Sequence, residues 1–182
     1  MVLNDEKTDG VFAISLVENP AIEEGWVKLS KIEVNLQVSN DERREVVGIA
    51  LLPNKKILRR DDKGNDYTIS FPESTIDKIQ ENYMTNLRLQ SVTVDHESKV
   101  KGVCLIESWI VEDTENDKSN IYNLKAPKGS WVVKMKVYND EVYNDIKLGK
   151  YKGFSIEGKF DDNQVDAKAD ILEEIKQLLK KL

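Results

Sequence analysis

Gly153-Phe-Ser-Ile-Glu-Gly-Lys-Phe160 is the stretch from which the fold class is read. Phe154, Ile156 and Phe160 alternate with Ser155, Glu157 and Lys159. A period of two lets a strand bury one face and wet the other. Outward from this segment, runs rich in Val, Ile and aromatics predict further strands at Trp26–Val38, Glu45–Leu52, Tyr67–Phe71, Ser91–Asp95, Val100–Val111 and Ser130–Tyr138. Turn signals separate them at Ser39-Asn-Asp41, Asp61 to Asp66 and Pro127-Lys-Gly129.

Three helices interrupt or close the pattern. Ser70-Phe-Pro-Glu73 reads as a capping box, and Ile76, Ile79 and Tyr83 then share one helical face. Asn139 caps a second helix carrying Val142 and Ile146, which Gly149 stops. Asp170 with Glu173 opens a third, whose stripe is Ile171, Leu172, Ile175, Leu178, Leu179 and Leu182. Strands and helices do not alternate regularly, so a doubly wound parallel sheet fits poorly. The predicted class is mainly β with flanking helices, in the form of a small closed β-barrel.

A chain of 182 residues has room for one such domain with appendages. Residues 1–25 read as an N-terminal arm whose apolar run, Val11 to Val17, docks on its own domain or on a partner. Residues 26–166 form the barrel domain, and 167–182 the C-terminal amphipathic helix, packed on its own domain or used for self-association.

Composition narrows the function. Twenty-seven basic against thirty-three acidic residues give a net charge of −6, which argues against a nucleic-acid-binding surface. No apolar run approaches the roughly 20 residues that span a bilayer, and the first residues lack the pattern of a secretory signal. Cys104 has no cysteine to pair with inside the chain, which suits a reducing compartment. One Cys and one His cannot build a zinc site within a single chain, so no metal and no cofactor is expected. Phosphate-binding glycine loops and the Gly-x-Ser-x-Gly elbow are missing.

Two residues carry the candidate chemistry. His96, the sole histidine, follows Ser91-Val-Thr-Val-Asp95, where alternation places it on the face of Val92 and Val94. Imidazole acid–base chemistry in this chain has no other source. Its bland alternative is a turn histidine of no consequence. Ser155 points away from the apolar face of its strand between two glycines, where a substrate can approach closely. A serine hydroxyl needs a base before it becomes a nucleophile, and otherwise Ser155 is simply a small strand residue. Glu107 alternates with Val103, Leu105, Trp109 and Val111, and a carboxylate on such a face needs a partner. Either a histidine, as in a triad, or a lysine or arginine would serve. Asp95, Glu157 and Asp161 are rival orienters of the imidazole.

Six segments stand in order along the chain: Ala13-Ile-Ser-Leu-Val-Glu-Asn-Pro-Ala-Ile22, Gly48-Ile-Ala-Leu-Leu-Pro53, Val94-Asp-His96-Glu, Glu107-Ser-Trp-Ile-Val-Glu-Asp113, Gly129-Ser-Trp-Val-Val133 and Gly153-Phe-Ser155-Ile-Glu-Gly158 with Gly149 before it. Together they resemble the XkdF-type prohead maturation proteases of tailed phages. The resemblance runs from about residue 11 to residue 160 and implies a serine endopeptidase of the herpesvirus-assemblin fold, a small barrel wrapped by helices. It further implies cleavage of scaffold and capsid-protein propeptides, and of itself, inside the procapsid in the host bacterial cytoplasm. A homodimer without nucleic-acid or membrane partners is expected. By position the family's histidine falls on His96 and its serine on Ser155, with Glu107 as third member. The alternative is a non-catalytic capsid-assembly or scaffold-like protein on the same fold.

Overall fold

A computed structural model describes residues 9–18, 36–60 and 64–160. Ten strands, two α-helices and one 3₁₀ turn occur among them. Gly10–Val17 (β1) lies between Gly153–Lys159 (β10), antiparallel to it, and Val92–Val94 (β6), parallel to it. Ser98–Lys99 (β7) pairs with β6 at the edge of this first sheet. The second sheet has the order Gln37–Asn40 (β2), Glu45–Leu51 (β3), Trp131–Val137 (β9), Val103–Ile110 (β8). Ile57–Arg60 (β4) and Asp66–Ile69 (β5) form a separate hairpin.

The main core lies between the two four-stranded sheets. Ile14, Leu16, Val92 and Phe154 from the first meet Val46, Val103, Leu105, Trp131, Val133 and Met135 from the second. A smaller cluster (Val47, Ile49, Val111, Leu124 and Val132) covers the opposite face of the second sheet. Burial on both faces explains why β3 reads as a continuous apolar run instead of alternating. Gly48 sits where β3 crosses β10, and a Cβ there would stand 3.0 Å from the Phe154 ring. Side-chain packing and a backbone bond from Leu36 N to Lys152 O at 2.8 Å, with no ladder, join the sheets at this crossing. Among the described residues the ladders therefore do not close into one ring, and two packed sheets stand where a closed barrel was expected.

The helices seal the core. Glu73–Thr85 (α1) buries Ile76, Ile79 and Tyr83, with the Tyr83 ring edge-on to Trp131 at 5.5 Å. It starts two residues later than the Ser70 capping box implies. Pro72 biases Phe71 away from helical geometry, and Pro72 itself, in extended conformation, is the N-cap. Asp140–Lys147 (α2) begins as expected, with Asn139 Oδ1 accepting from Val142 N at 3.1 Å, and ends before Gly149 at φ +75.

Part of the presumed N-terminal arm is thus a strand of the domain itself: β1 runs through the middle of the first sheet. The strand expected from Trp26 lies outside the described residues until Leu36. So do the C-terminal helix at 167–182 and Asp161.

Candidate active site

The register of the first sheet assembles the site. Ser15 of β1 is opposite Ser155 of β10 on one side and Thr93 of β6 on the other. Cross-strand partners project to the same face. Ile14, Ile156 and Val92 fill the next row, on the core side. Ser155, Ser15 and Thr93 consequently form a polar row on the face turned away from the main core, and strand parity adds Glu157 to that face. Ser15 is fully buried, and Ser155 is 5% exposed.

His96 reaches this face through its backbone. Asp95 (φ 46) and His96 (φ 60) are both left-handed, and Glu97 N donates to Val94 O at 3.0 Å. Two such residues closed by that bond make a type I′ turn, the connection that matches strand twist in a hairpin. Left-handed geometry costs about 1–2 kcal/mol at a residue with a Cβ, less at Asp. Three contacts hold the turn against that cost. Asp95 N donates to Leu16 O at 2.9 Å, Asp95 Oδ1 accepts from Glu18 N at 3.1 Å, and Ser15 Oγ accepts from His96 N at 3.0 Å. Simple alternation had put His96 beside Val92 and Val94. The turn ends β6 at Val94 and delivers the ring to the polar row instead.

There the imidazole Nδ1 stands 3.3 Å from Glu157 Oε1, and the Thr93 hydroxyl donates to the same oxygen. The side chains of His96 and Glu157 are 43% and 31% exposed, so this end of the row opens to solvent while its middle is closed. Among the described contacts no hydrogen bond joins Ser155 Oγ to the ring. The two are linked through Ser15, the cross-strand neighbour of Ser155 and the acceptor for the His96 backbone.

Glu107 is not brought to His96. The ladder between β8 and β9 shifts register between Leu105 and Glu107, so a bulge at Ile106 reverses the alternation that put Glu107 on the face of Leu105. Glu107 lies opposite Lys134 and meets Lys118 and Lys134. The Lys118 hydrogen bond, opposed by partial burial and reinforced by Lys134, holds its carboxyl below the usual carboxylate range. Burial opposes the charge on Lys134, but hydrogen bonds to Glu45, Tyr122 and Glu107 outweigh it and raise its pKa. Glu107 thus belongs to an ion-pair cluster on the second sheet. Asp95, another rival orienter, is occupied at the backbone of Glu18.

Ser15 and Thr93 were not foreseen. Their one signal is a hydroxyl interrupting an apolar run, Ala13-Ile-Ser-Leu and Val92-Thr-Val, which marks a polar contact only once the register is known. No group of three or more His, Cys, Asp or Glu among the described residues is placed to hold a metal ion. No helix among them is long and apolar enough to cross a membrane.

A mainly β domain whose polar strand face presents serine, histidine and carboxylate side chains is a frame for acyl-transfer chemistry. Comparison with known families gives the corresponding assignment. Residues 32–165 match the family described as "Putative phage serine protease XkdF", and the chain belongs to this family. No curated protein and no solved structure matches it.

Proposed function

We propose that the protein is a serine endopeptidase in which Ser155 is the nucleophile, His96 the general base and Glu157 the orienting carboxylate. The observation that carries this reading is the contact between His96 Nδ1 and Glu157 Oε1 on the sheet face that holds Ser155. A carboxylate at Nδ1 fixes the tautomer with its proton on that nitrogen and leaves Nε2 free to take a proton. Nε2 removes the Ser155 proton as Oγ attacks the scissile carbonyl, and the imidazolium is stabilised by Glu157. The proton then passes to the leaving amine, and water repeats the cycle on the acyl-enzyme. Catalytic hydrogen bonds are commonly long in a substrate-free protein and tighten on binding, which suits a Ser155 that shares the sheet face but is not hydrogen-bonded to the ring. Of the carboxylates weighed for the third role that lie among the described residues, Glu157 is the one in contact with the imidazole.

The substrates in this proposal are scaffold and capsid-protein propeptides, with self-cleavage, in the procapsid within the host cytoplasm. Membership of a phage protease family supports that class of substrate. A homodimer through residues 167–182, whose sequence reads as an amphipathic helix, completes the reading. A chain ending at Asp166 is then monomeric by sedimentation, and unchanged association removes the helix from consideration.

Co-expression with the capsid and scaffold proteins encoded beside it, followed by intact-mass analysis, tests the activity. New product masses in the wild type that vanish in Ser155→Ala support the protease. Identical masses in both, with proheads assembled, favour a non-catalytic assembly protein.

A further inference from the structure

The geometry points to Ser15 as a positioning residue for His96: from the neighbouring strand its hydroxyl fixes the left-handed backbone from which the imidazole reaches Glu157, on the strand that carries Ser155. This inference rests on the serine-protease reading and adds to it a residue that would not touch the substrate.

Three observations meet at Ser15. Its Oγ accepts the His96 backbone N–H at 3.0 Å across 81 residues of sequence. The donor residue has φ 60, a conformation that needs outside support in a residue with a side chain. Finally, the Cα of Ser15 is registered directly against that of Ser155. One side chain therefore sets the position of the base relative to the strand that carries the nucleophile. The hydroxyl is fully buried, and its own proton points to a poor acceptor, Leu16 O at 3.5 Å. An alanine would leave the His96 N–H without a partner and the turn free to relax toward ordinary strand geometry. The imidazole then moves, and a displacement of about 1 Å at a catalytic group costs on the order of a hundredfold in rate.

A fluorophosphonate tests this without knowledge of the natural substrate. Ser155 Oγ forms a bond to phosphorus, fluoride departs, and the hydroxyl proton passes to His96. The labelling rate therefore reports how well the base is placed. We expect Ser155→Ala to be inert and Ser15→Ala to label about a hundredfold more slowly than wild type at an unchanged probe half-saturation. Ser15→Thr, which keeps the hydroxyl on a strand, should recover most of the rate. Circular dichroism melts establish that the compared variants are folded. Inert Ser155→Ala with Ser15→Ala labelling at the wild-type rate overturns this inference alone. Full labelling of Ser155→Ala overturns the protease reading and this inference with it. If the Ser15 variants do not fold, amide hydrogen exchange on the wild-type protein decides. Protection of the His96 N–H relative to that of Glu42, in an exposed hairpin turn, supports the clamp, and equal exchange overturns it.

Discussion

His96 Nδ1 and Glu157 Oε1 lie 3.3 Å apart, brought together from the turn after β6 and from β10, two strands that do not touch in the sheet because β1 runs between them. The contact spans β1 only because the I′ turn at Asp95-His96 swings the ring back over the polar face. Thr93, donating to the same carboxylate oxygen, anchors Glu157 from the β6 side. His96, Glu157 and the strand of Ser155 are thereby held by one sheet.

If Ser155 and His96 act as one unit, their effects do not add. Each single change to alanine is expected to lower turnover by at least about a thousandfold, and the double change little further. Cleavage kinetics on a propeptide substrate measure this. A double variant far slower than either single one would show two independent contributions instead.

The identity of the orienting carboxylate separates Glu157 from Glu107. Glu157→Gln removes the charge beside Nδ1 and is expected to lower kcat by up to about 10⁴-fold, with the melting temperature little changed. Glu107→Gln alters an ion pair on the other sheet and should leave kcat within a factor of two or so of wild type. Activity that falls with Glu107→Gln and survives Glu157→Gln would reverse the assignment.

Glu107 instead shapes stability against acid. Its folded-state pKa is depressed by Lys118 first and Lys134 second. Its stabilising contribution is therefore complete above the unfolded value of 4.5 and is lost as pH falls through the lower folded value. Asp41 acts in the same direction, through the Tyr143 hydroxyl and then Lys147. Urea midpoints measured from pH 7 to pH 2.5 should fall less steeply on the acid side in Glu107→Gln than in wild type. Parallel curves would remove Glu107 from the acid response.

The crossing of β3 and β10 gives a packing prediction close to Ser155. Phe154 is fully buried, so its ring cannot yield freely to a methyl group placed on Gly48. Gly48→Ala is expected to cost about 1–3 kcal/mol by overpacking. Phe154→Ala should cost about 3–5 kcal/mol through the cavity it leaves. Denaturant midpoints check both, and a neutral Gly48→Ala would mean that the two sheets slide apart there at little cost.

Much of this architecture is legible in the local sequence because it rests on short-range periodicity. Alternation in Gly153–Phe160 assigns Phe154 to the core and Ser155 to the polar face, as found. Helical spacing groups Ile76, Ile79 and Tyr83, and an Asn with a free amide oxygen marks the start of α2. His96 as a strand-end residue was also readable, since a strand signal stops beside it.

Parity and partnership were settled elsewhere. One extra residue in β8 inverts every face beyond it, so Glu107 belongs with Lys134 on the far side of the second sheet. Two left-handed residues end β6 and carry His96 across to the face of Thr93, away from Val92 and Val94. The apolar run in β1 specifies burial but not a neighbour. Only the sheet register puts Ser15 between Ser155 and Thr93, and only that register gives its hydroxyl the His96 amide. The sequence alone determined which residues are apolar, which can cap and which can exchange a proton, because those properties belong to single side chains and their nearest neighbours. The tertiary structure decided which carboxylate meets the histidine and which hydroxyl takes its backbone amide, because those depend on strand order, bulges and turns summed over separations of 61 and 81 residues.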